Sequence, residues 1–290
     1  MYALLKNLSK FPLRFIQNLA KSVGSLLYIT NSSIRRTTEI NLGIAYPELS
    51  ASERTRLAKR SVQSQCMTYA ESVKIWGSEP EFALKQIRNI HHPEIFTDAL
   101  KNPNGTLAVV PHFGTWELLN AWVNQHTSPV IMYKPSKNPD VDRFMLEARQ
   151  CLNATLVPTD ETGVRALFKH LKRGGFAAIL PDHVPKESGG IYSPFYGQNA
   201  LSSTLLSKLA AKTQCAVIGL SCLRHDDLSG FDIHVTELSS DILSKDLQLS
   251  VDTLNKEMER MINIAPEQYV WGYKRFRKLK GEQNLYKKHA

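Results

Sequence analysis

The amino-acid sequence predicts an α/β protein with a mostly parallel sheet flanked by helices. Short apolar runs bounded by Gly or Pro alternate with helical periodicities over more than a hundred residues from about residue 104. Several of those runs are continuously apolar, as expected of strands covered on both faces. The chain is also long enough: 290 residues with 42% apolar content can bury a core of that kind, and 22% charged residues exclude wholesale disorder.

In order along the chain, Ala51–Trp76 reads as one long helix with Ser50 or Ser52 as its cap, and a connecting region follows to about Asn104. Thr106–Val110 is the first core strand, followed by a helix over Glu117–Gln125, a strand over Val130–Tyr133 and a helix over Val141–Leu152. The alternation continues with Ala154–Val157 (strand), Gly163–Lys172 (helix), Phe176–Leu180 (strand), Ser202–Lys212 (helix) and Ala216–Leu220 (strand). Asp232–Glu237 alternates as a strand does, and Leu247–Ile264 reads as a final long helix. No internal repeat or low-complexity tract interrupts this order.

Charge is concentrated at the two ends. Lys plus Arg number 36 against 27 Asp plus Glu, a net charge of +9, which points to an anionic partner. No acid precedes Glu39, while Lys6, Lys10, Arg14, Lys21, Arg35 and Arg36 all lie in this stretch. Phe11, Phe15, Leu19, Val23, Leu26 and Leu27 recur among them at helical spacing. Two readings stand open here: a basic amphipathic helix in a membrane interface, or a first helix packed on the domain. Leu13–Ile29 is interrupted by Arg14, Gln17, Asn18, Lys21 and Ser22, so no run of about eighteen apolar residues suits a transmembrane helix. After Trp271, Lys274, Arg275, Arg277, Lys278, Lys280, Lys287 and Lys288 face only Glu282. Cys66, Cys151, Cys215 and Cys222 are too few for a disulfide scaffold and read as reduced thiols in a cytosolic compartment.

In α/β sheets, ligands gather where strands end at their carboxyl side. The first core strand runs into Pro111-His112-Phe113-Gly114-Thr115-Trp116-Glu117. Residues five apart lie about 140° apart around a regular helix, so His112 and Glu117 meet only if His112 sits in the turn and Glu117 in the following helix. Glu117 can then hold one imidazole nitrogen while the other takes a proton from a hydroxyl. A second strand end gives Met132-Tyr133-Lys134-Pro135, followed by a helix with Arg143 and Arg149; a third gives Pro181-Asp182-His183. Near the end of the chain, Pro266–Trp271 leads into Tyr273-Lys274-Arg275-Phe276. Each alone reads equally as a turn, a salt bridge or a solvated basic face; their order singles them out.

That ordered set resembles the lauroyl/myristoyl lipid A secondary acyltransferases of the lysophospholipid acyltransferase superfamily. The resemblance rests on "PHFGTWELL" (a histidine, four residues, an acid), "INLGIAYPELS" (Ile40–Ser50), "YAES" (Tyr69–Ser72), "YKPSKNPDVDRFMLEAR" (Tyr133–Arg149), "GGFAAILPDH" (Gly174–His183) and "PEQYVWGYKRFR" (Pro266–Arg277). It implies a glycerol-3-phosphate-acyltransferase-like fold, with residues 1–35 as a basic amphipathic membrane-associating segment and 36–290 as the acyltransferase domain. It further implies acyl transfer from acyl carrier protein to a hydroxyl of a lipid A precursor on the cytoplasmic face of a Gram-negative inner membrane. His112 is then the general base, Glu117 its orienting partner and Arg149 an auxiliary cation; Asp182 supports that arginine or positions the acceptor. Lys134, Arg165, Trp271, Lys274 and Arg275 are expected to bind substrate, with Lys274–Lys280 and the helix of Arg165, Lys169 and Lys172 receiving the carrier. Oxyanion donors are expected from the backbone N–H groups of Phe113–Thr115 or from Arg149.

This mechanism needs no covalent intermediate, metal or cofactor. A sister enzyme acylating another glycolipid or lysophospholipid is the nearest alternative. A metallohydrolase built on His112, Glu117, Asp182 and His183 lacks a metal-ligand spacing. A nucleic-acid-binding protein accounts for the charge but leaves the strand-end histidine unexplained. Neither a dinucleotide fingerprint nor a P-loop is present.

Overall fold

The computed structural model describes residues 1–281 and 284–287; Glu282 and Lys288 of the basic tail lie outside the described residues. Three helices open the chain: α1 (Tyr2–Leu8), α2 (Leu13–Ile29) and α3 (Ser33–Ala45). The long helix α4 (Ala51–Trp76) starts where Ser50 closes a capping box, its hydroxyl accepting from Glu53 N at 3.3 Å while Ser50 N donates to Glu53 at 2.9 Å. The region before Asn104 is structured, containing α5 (Pro80–Leu84), β1 (Ile87–His91) and α6 (Pro93–Ala99). Then follow β2 (Thr106–Val109), α7 (Trp116–Val123), β3 (Val130–Tyr133), α8 (Pro139–Gln150), β4 (Thr155–Pro158), α9 (Glu161–Leu171) and β5 (Phe176–Ile179). The chain continues through β6 (Gly190–Phe195), β7 (Gln198–Ser203), α10 (Leu205–Thr213), β8 (Ala216–Arg224), β9 (Phe231–Glu237) and α11 (Leu247–Ile262).

Seven strands form one sheet in the order β1-β9-β8-β2-β5-β3-β4, and β6 and β7 form a separate hairpin. β8, β2, β5, β3 and β4 run parallel; β9 is antiparallel to β8, and β1 runs parallel to β9. Both faces are covered. Leu107 and Val109 of β2 enter one apolar cluster and Ala108 and Val110 the other, so alternate side chains of a single strand feed two cores. The helix expected from Ser202 begins at Leu205 instead, because residues 198–203 are taken by the hairpin, which turns through Tyr196-Gly197.

α2 lies along α4. Its buried residues are Ile16, Gln17, Ala20, Gly24 and Tyr28, and Gly24 is required there: a Cβ would stand 2.6 Å from Gln63 Cα. The apolar positions that the sequence singles out face the other way. Phe11, Phe15, Leu19, Val23 and Leu26 are each 45–60% exposed, and Leu27 alone packs against the core. α2 is thus packed on the domain through one face, as the second reading expects, and leaves an apolar stripe exposed on the other. Among the described residues, no helix is long and apolar enough to cross a membrane.

Candidate active site

The centre of the site is set by register. β2 and β5 are parallel neighbours with Val109 beside Ile179, and each leaves the sheet through one more apolar residue and a proline, Val110-Pro111 and Leu180-Pro181. The next residues, His112 and Asp182, therefore stand side by side above the carboxyl edge. Asp182 takes His112 with both oxygens: Nδ1 lies 2.9 Å from Oδ1, and the backbone N donates to Oδ2 at 3.1 Å. Burial pushes the Asp182 carboxyl up, but the adjacent His112 outweighs it and holds the group well below the usual carboxylate range. An ionised Asp182 can only accept, so Nδ1 carries a proton, and in the neutral ring the lone pair is on Nε2. No described residue hydrogen-bonds that Nε2, and His112 lines an open cleft.

The orienting carboxylate is thus Asp182, not Glu117 as the sequence implies. Glu117 sits in the first turn of α7 and is engaged elsewhere: Oε1 accepts from Arg149 Nη2 at 2.9 Å, and Oε2 from Trp76 Nε1 at 2.9 Å. Spacing along the chain suggested a His112–Glu117 bond, whereas the partner that reaches Nδ1 comes across the sheet. Glu117 and Arg149 nevertheless line the same cleft as His112, and the buried Arg149 Nε has no partner among the described residues.

Aromatic rings fix the imidazole from the sides. His183 stacks on His112 with centroids 3.9 Å apart and planes 6° apart, and Tyr273 stacks on the other face of His183 at 4.1 Å. Trp116 meets His112 edge-on at 5.1 Å. Enclosure between the rings pushes the His183 pKa down to about 4 against the opposing pull of Asp182, so His183 is neutral at pH 7.

The turn between β2 and α7 is held from beneath. Gly114 adopts φ +65°, and a Cβ there would lie 2.1 Å from Cys222 O, so only glycine fits. Phe113 N, Gly114 N and Thr115 N donate to Pro111 O, Gln268 O and Cys222 O at 2.6, 3.0 and 2.7 Å. Those three amides are thus engaged within the fold, whereas Arg149, the other expected oxyanion donor, lines the cleft. Thr115 Oγ1 donates to Glu71 at 2.6 Å, and Glu71 also accepts from Arg224 Nε at 2.5 Å and Gln17 Nε2 at 2.7 Å. Glu71 and Arg224 are buried, so one ion pair ties α2, α4 and β8 to the turn that carries His112.

The cleft has a volume of about 620 Å³. Beyond His112, Glu117 and Arg149 its walls are mainly apolar, including Val110, Leu119, Ile131, Phe176, Leu205 and Leu220. Its lining draws on α7 (Trp116, Glu117, Leu119, Asn120, Val123) and on β5 (Phe176, Ala178, Ile179).

A sequence model of the bacterial lipid A biosynthesis acyltransferase family matches residues 1–278. The chain belongs to that family. It is 24% identical over 278 residues to the lipid A biosynthesis lauroyltransferase of Escherichia coli K12, covering 96% of this chain and 85% of that protein. It is also 24% identical over 251 residues to the palmitoleoyltransferase of the same organism, covering 85% and 80%. To a lipid A biosynthesis acyltransferase of Haemophilus influenzae it is 22% identical over 280 residues, covering 95% and 86%. As a lipid A biosynthesis acyltransferase family member, it is an acyl-transferring enzyme.

Of the other residues that the sequence offers this acyltransferase, Lys134 lines the cleft. Arg165 lies on the exposed side of α9, 3.4 Å from Glu161, and Lys274 is exposed. Trp271 and Arg275 are buried and do not line the cleft. Trp271 Nε1 donates to Pro266 O at 2.7 Å, and Arg275 donates to Leu201 O and Ser202 Oγ at 3.0 and 2.7 Å while lying over Phe195. The sequence reading gave no individual role to Glu71, Arg224 or Trp76. Glu71 and Arg224 are 153 residues apart, and only the fold joins them. The His112–Asp182 pair had a signal: matching apolar-Pro endings on two strands.

Proposed function

We propose that this acyltransferase moves a fatty acyl chain from acyl carrier protein to a hydroxyl of a lipid A precursor. The carrying observation is an imidazole whose Nδ1 is held by a buried carboxylate and whose Nε2 opens on an apolar cleft. Such a cleft suits one acyl chain, since small-molecule pockets occupy about 300–1,000 Å³. His112 Nε2 takes the proton of the acceptor hydroxyl as its oxygen attacks the thioester carbonyl, and Asp182 stabilises the imidazolium that forms. Arg149, aimed by Glu117, stabilises the charge on the carbonyl oxygen of the tetrahedral intermediate. When that intermediate collapses, the C–S bond breaks, the ester remains on the acceptor, and the thiolate leaves with the proton held by His112. The neutral ring of His183 keeps a second positive charge away from His112. This placement of a histidine at the end of a central parallel strand supports the glycerol-3-phosphate-acyltransferase-like reading of the fold.

The same proposal places the enzyme on an anionic membrane surface, at the cytoplasmic face of the inner membrane. Exposed Phe11, Phe15, Leu19 and Val23 enter the acyl boundary while Lys6, Lys10, Arg14 and Lys21 meet headgroups. The deciding experiment incubates purified enzyme with acyl-loaded carrier protein and a panel of acceptors, followed by mass spectrometry. The expected product is a lipid A precursor heavier by one acyl group, absent with His112→Ala. Acylation of a lysophospholipid alone would reassign the acceptor, and release of free fatty acid alone would refute transfer.

A further inference from the structure

Four of the nine histidines gather at one edge of the sheet, away from the cleft: His91 and His92 at the end of β1, His225 after β8 and His234 in β9. Strand pairing brings them together. β1 and β9 set Asn89 beside Asp232 and His91 beside His234, while β8 sets Ser221 opposite His234. Residues two apart on a strand share a face, so Asp232 and His234 project together with these neighbours.

Asp232 is used unequally. Its Oδ1 lies 2.7 Å from His225 Nε2 and accepts from Asn89 N and Nδ2 at 3.1 and 3.0 Å, and His225 Nδ1 is itself 2.9 Å from Ser229 Oγ. Among the described residues its Oδ2 meets only His91 Nε2, at 2.9 Å. The His234 ring lies on that of His91, centroids 4.4 Å apart, and hydrogen-bonds to no described residue. Ser221 Oγ, opposite it in register, is buried and also unpartnered among the described residues. One ligand atom from each of His91, Asp232 and His234 lies within 4.8 Å of the other two.

We propose that His91, Asp232 and His234 bind a divalent transition-metal ion, zinc fitting best, which clamps the edge strand β1 to β9. Two imidazoles and one carboxylate oxygen form a donor set that zinc takes at about 2.0–2.2 Å, leaving a fourth position for water. His225 and Asn89, by fixing Oδ1, turn Oδ2 toward the ion as outer partners of a ligating carboxylate do. Calcium and magnesium, which demand about six oxygen ligands, are poorly served. His91 is 43% exposed at its side chain, so its ring can swing from the hydrogen-bonded position to admit the ion. None of the three ligands lines the cleft, so the ion takes no part in acyl transfer and braces a short sheet edge instead.

The test uses the full chain stripped by chelator, titrated with zinc by calorimetry, with cobalt absorption as a geometric probe and thermal unfolding alongside. One zinc per chain is expected, with a raised melting temperature and a tetrahedral cobalt spectrum. His91→Ala and His234→Ala should each abolish both, and His225→Ala should weaken zinc affinity about 10–100-fold. His112→Ala should bind zinc as the parent does. Metal-free melting curves establish that each variant folds, with His91→Gln replacing any that does not. Zinc binding that persists in both ligand variants, or is lost in His112→Ala, or an absence of stoichiometric binding in the parent chain, overturns the site.

Discussion

Asp182 gives both oxygens to His112, whereas Glu117 gives its oxygens to Arg149 and Trp76, so the two carboxylates should fail in different ways when replaced. His112→Ala should lower turnover by about 10²–10⁴-fold as the base is removed. Asp182→Asn should match it, because the amide no longer enforces the tautomer with a free Nε2, and the double variant should be little worse than either single one. Glu117→Ala leaves the half-buried Arg149 guanidinium uncompensated, so it should lower the urea midpoint as well as activity. A fully stable Glu117→Ala would mean that Arg149 has another counter-charge. Acid titration follows from the same cluster. Above about pH 6.5, the ordinary imidazole value, His183 is neutral folded or unfolded. Below that the unfolded chain binds a proton that the folded one refuses until about pH 4, so stability falls as pH falls through this window. Asp182, whose folded pKa is depressed, adds to the loss below the unfolded carboxylate value of about 3.9. The urea midpoint should therefore be level above pH 7 and decline towards pH 4, and His183→Gln should flatten that decline.

Elements with strong periodicity or strong punctuation were legible from the sequence, and elements defined by partners were not. α4 runs over the residues that its period and capping serine indicate, and β3 over Val130–Tyr133, because those signals are local. β1 carries Arg88, Asn89 and His91 and earns its place only by pairing with β9. The hairpin of β6 and β7 took residues from an expected helix, since pairing with a neighbour outweighed local preference. The catalytic turn shows the same division: His112 was legible from a strand ending in Pro, but its partner depended on which strand lay beside it. α2 is the element where this matters most for function, because its buried face supplies Gln17 to Glu71 and Glu71 holds Thr115. Gly24→Ala, forced against the Gln63 backbone, should destabilise by about 1–3 kcal/mol. Gln17→Ala should reduce turnover without altering any residue of the cleft, by slackening the turn that carries His112. Wild-type kinetics in Gln17→Ala would show that the turn is rigid without α2.

For the whole molecule, the question is where a net charge of +9 acts. Arg224 and Arg275 are buried, and Arg149 is paired with Glu117, so these charges are not available to a surface. Lys6 of α1, Lys10 just before α2, and Arg14 and Lys21 of α2 are exposed, so on the proposed reading attraction and insertion share the N-terminal segment. Spanning is disfavoured on two grounds. Seventeen residues reach only about 25 Å at ~1.5 Å each, short of a ~30 Å hydrocarbon core. The opposite face is also committed to α4 through Ile16, Ala20, Gly24 and Tyr28, so lipid cannot surround the helix without stripping it from the domain. On the proposed reading the protein is monotopic, held by two separable forces. Each base near an anionic surface contributes about 1 kcal/mol, so replacing Lys10, Arg14 and Lys21 by Gln should weaken binding to anionic vesicles roughly 100-fold and flatten most of its salt dependence. Replacing Phe11, Phe15 and Leu19 by Ser should remove the binding that survives high salt while changing stability by no more than about 0.5 kcal/mol per site. Vesicle sedimentation across a salt series separates the two, and binding that resists both sets of substitutions would place the membrane contact on another surface of the protein.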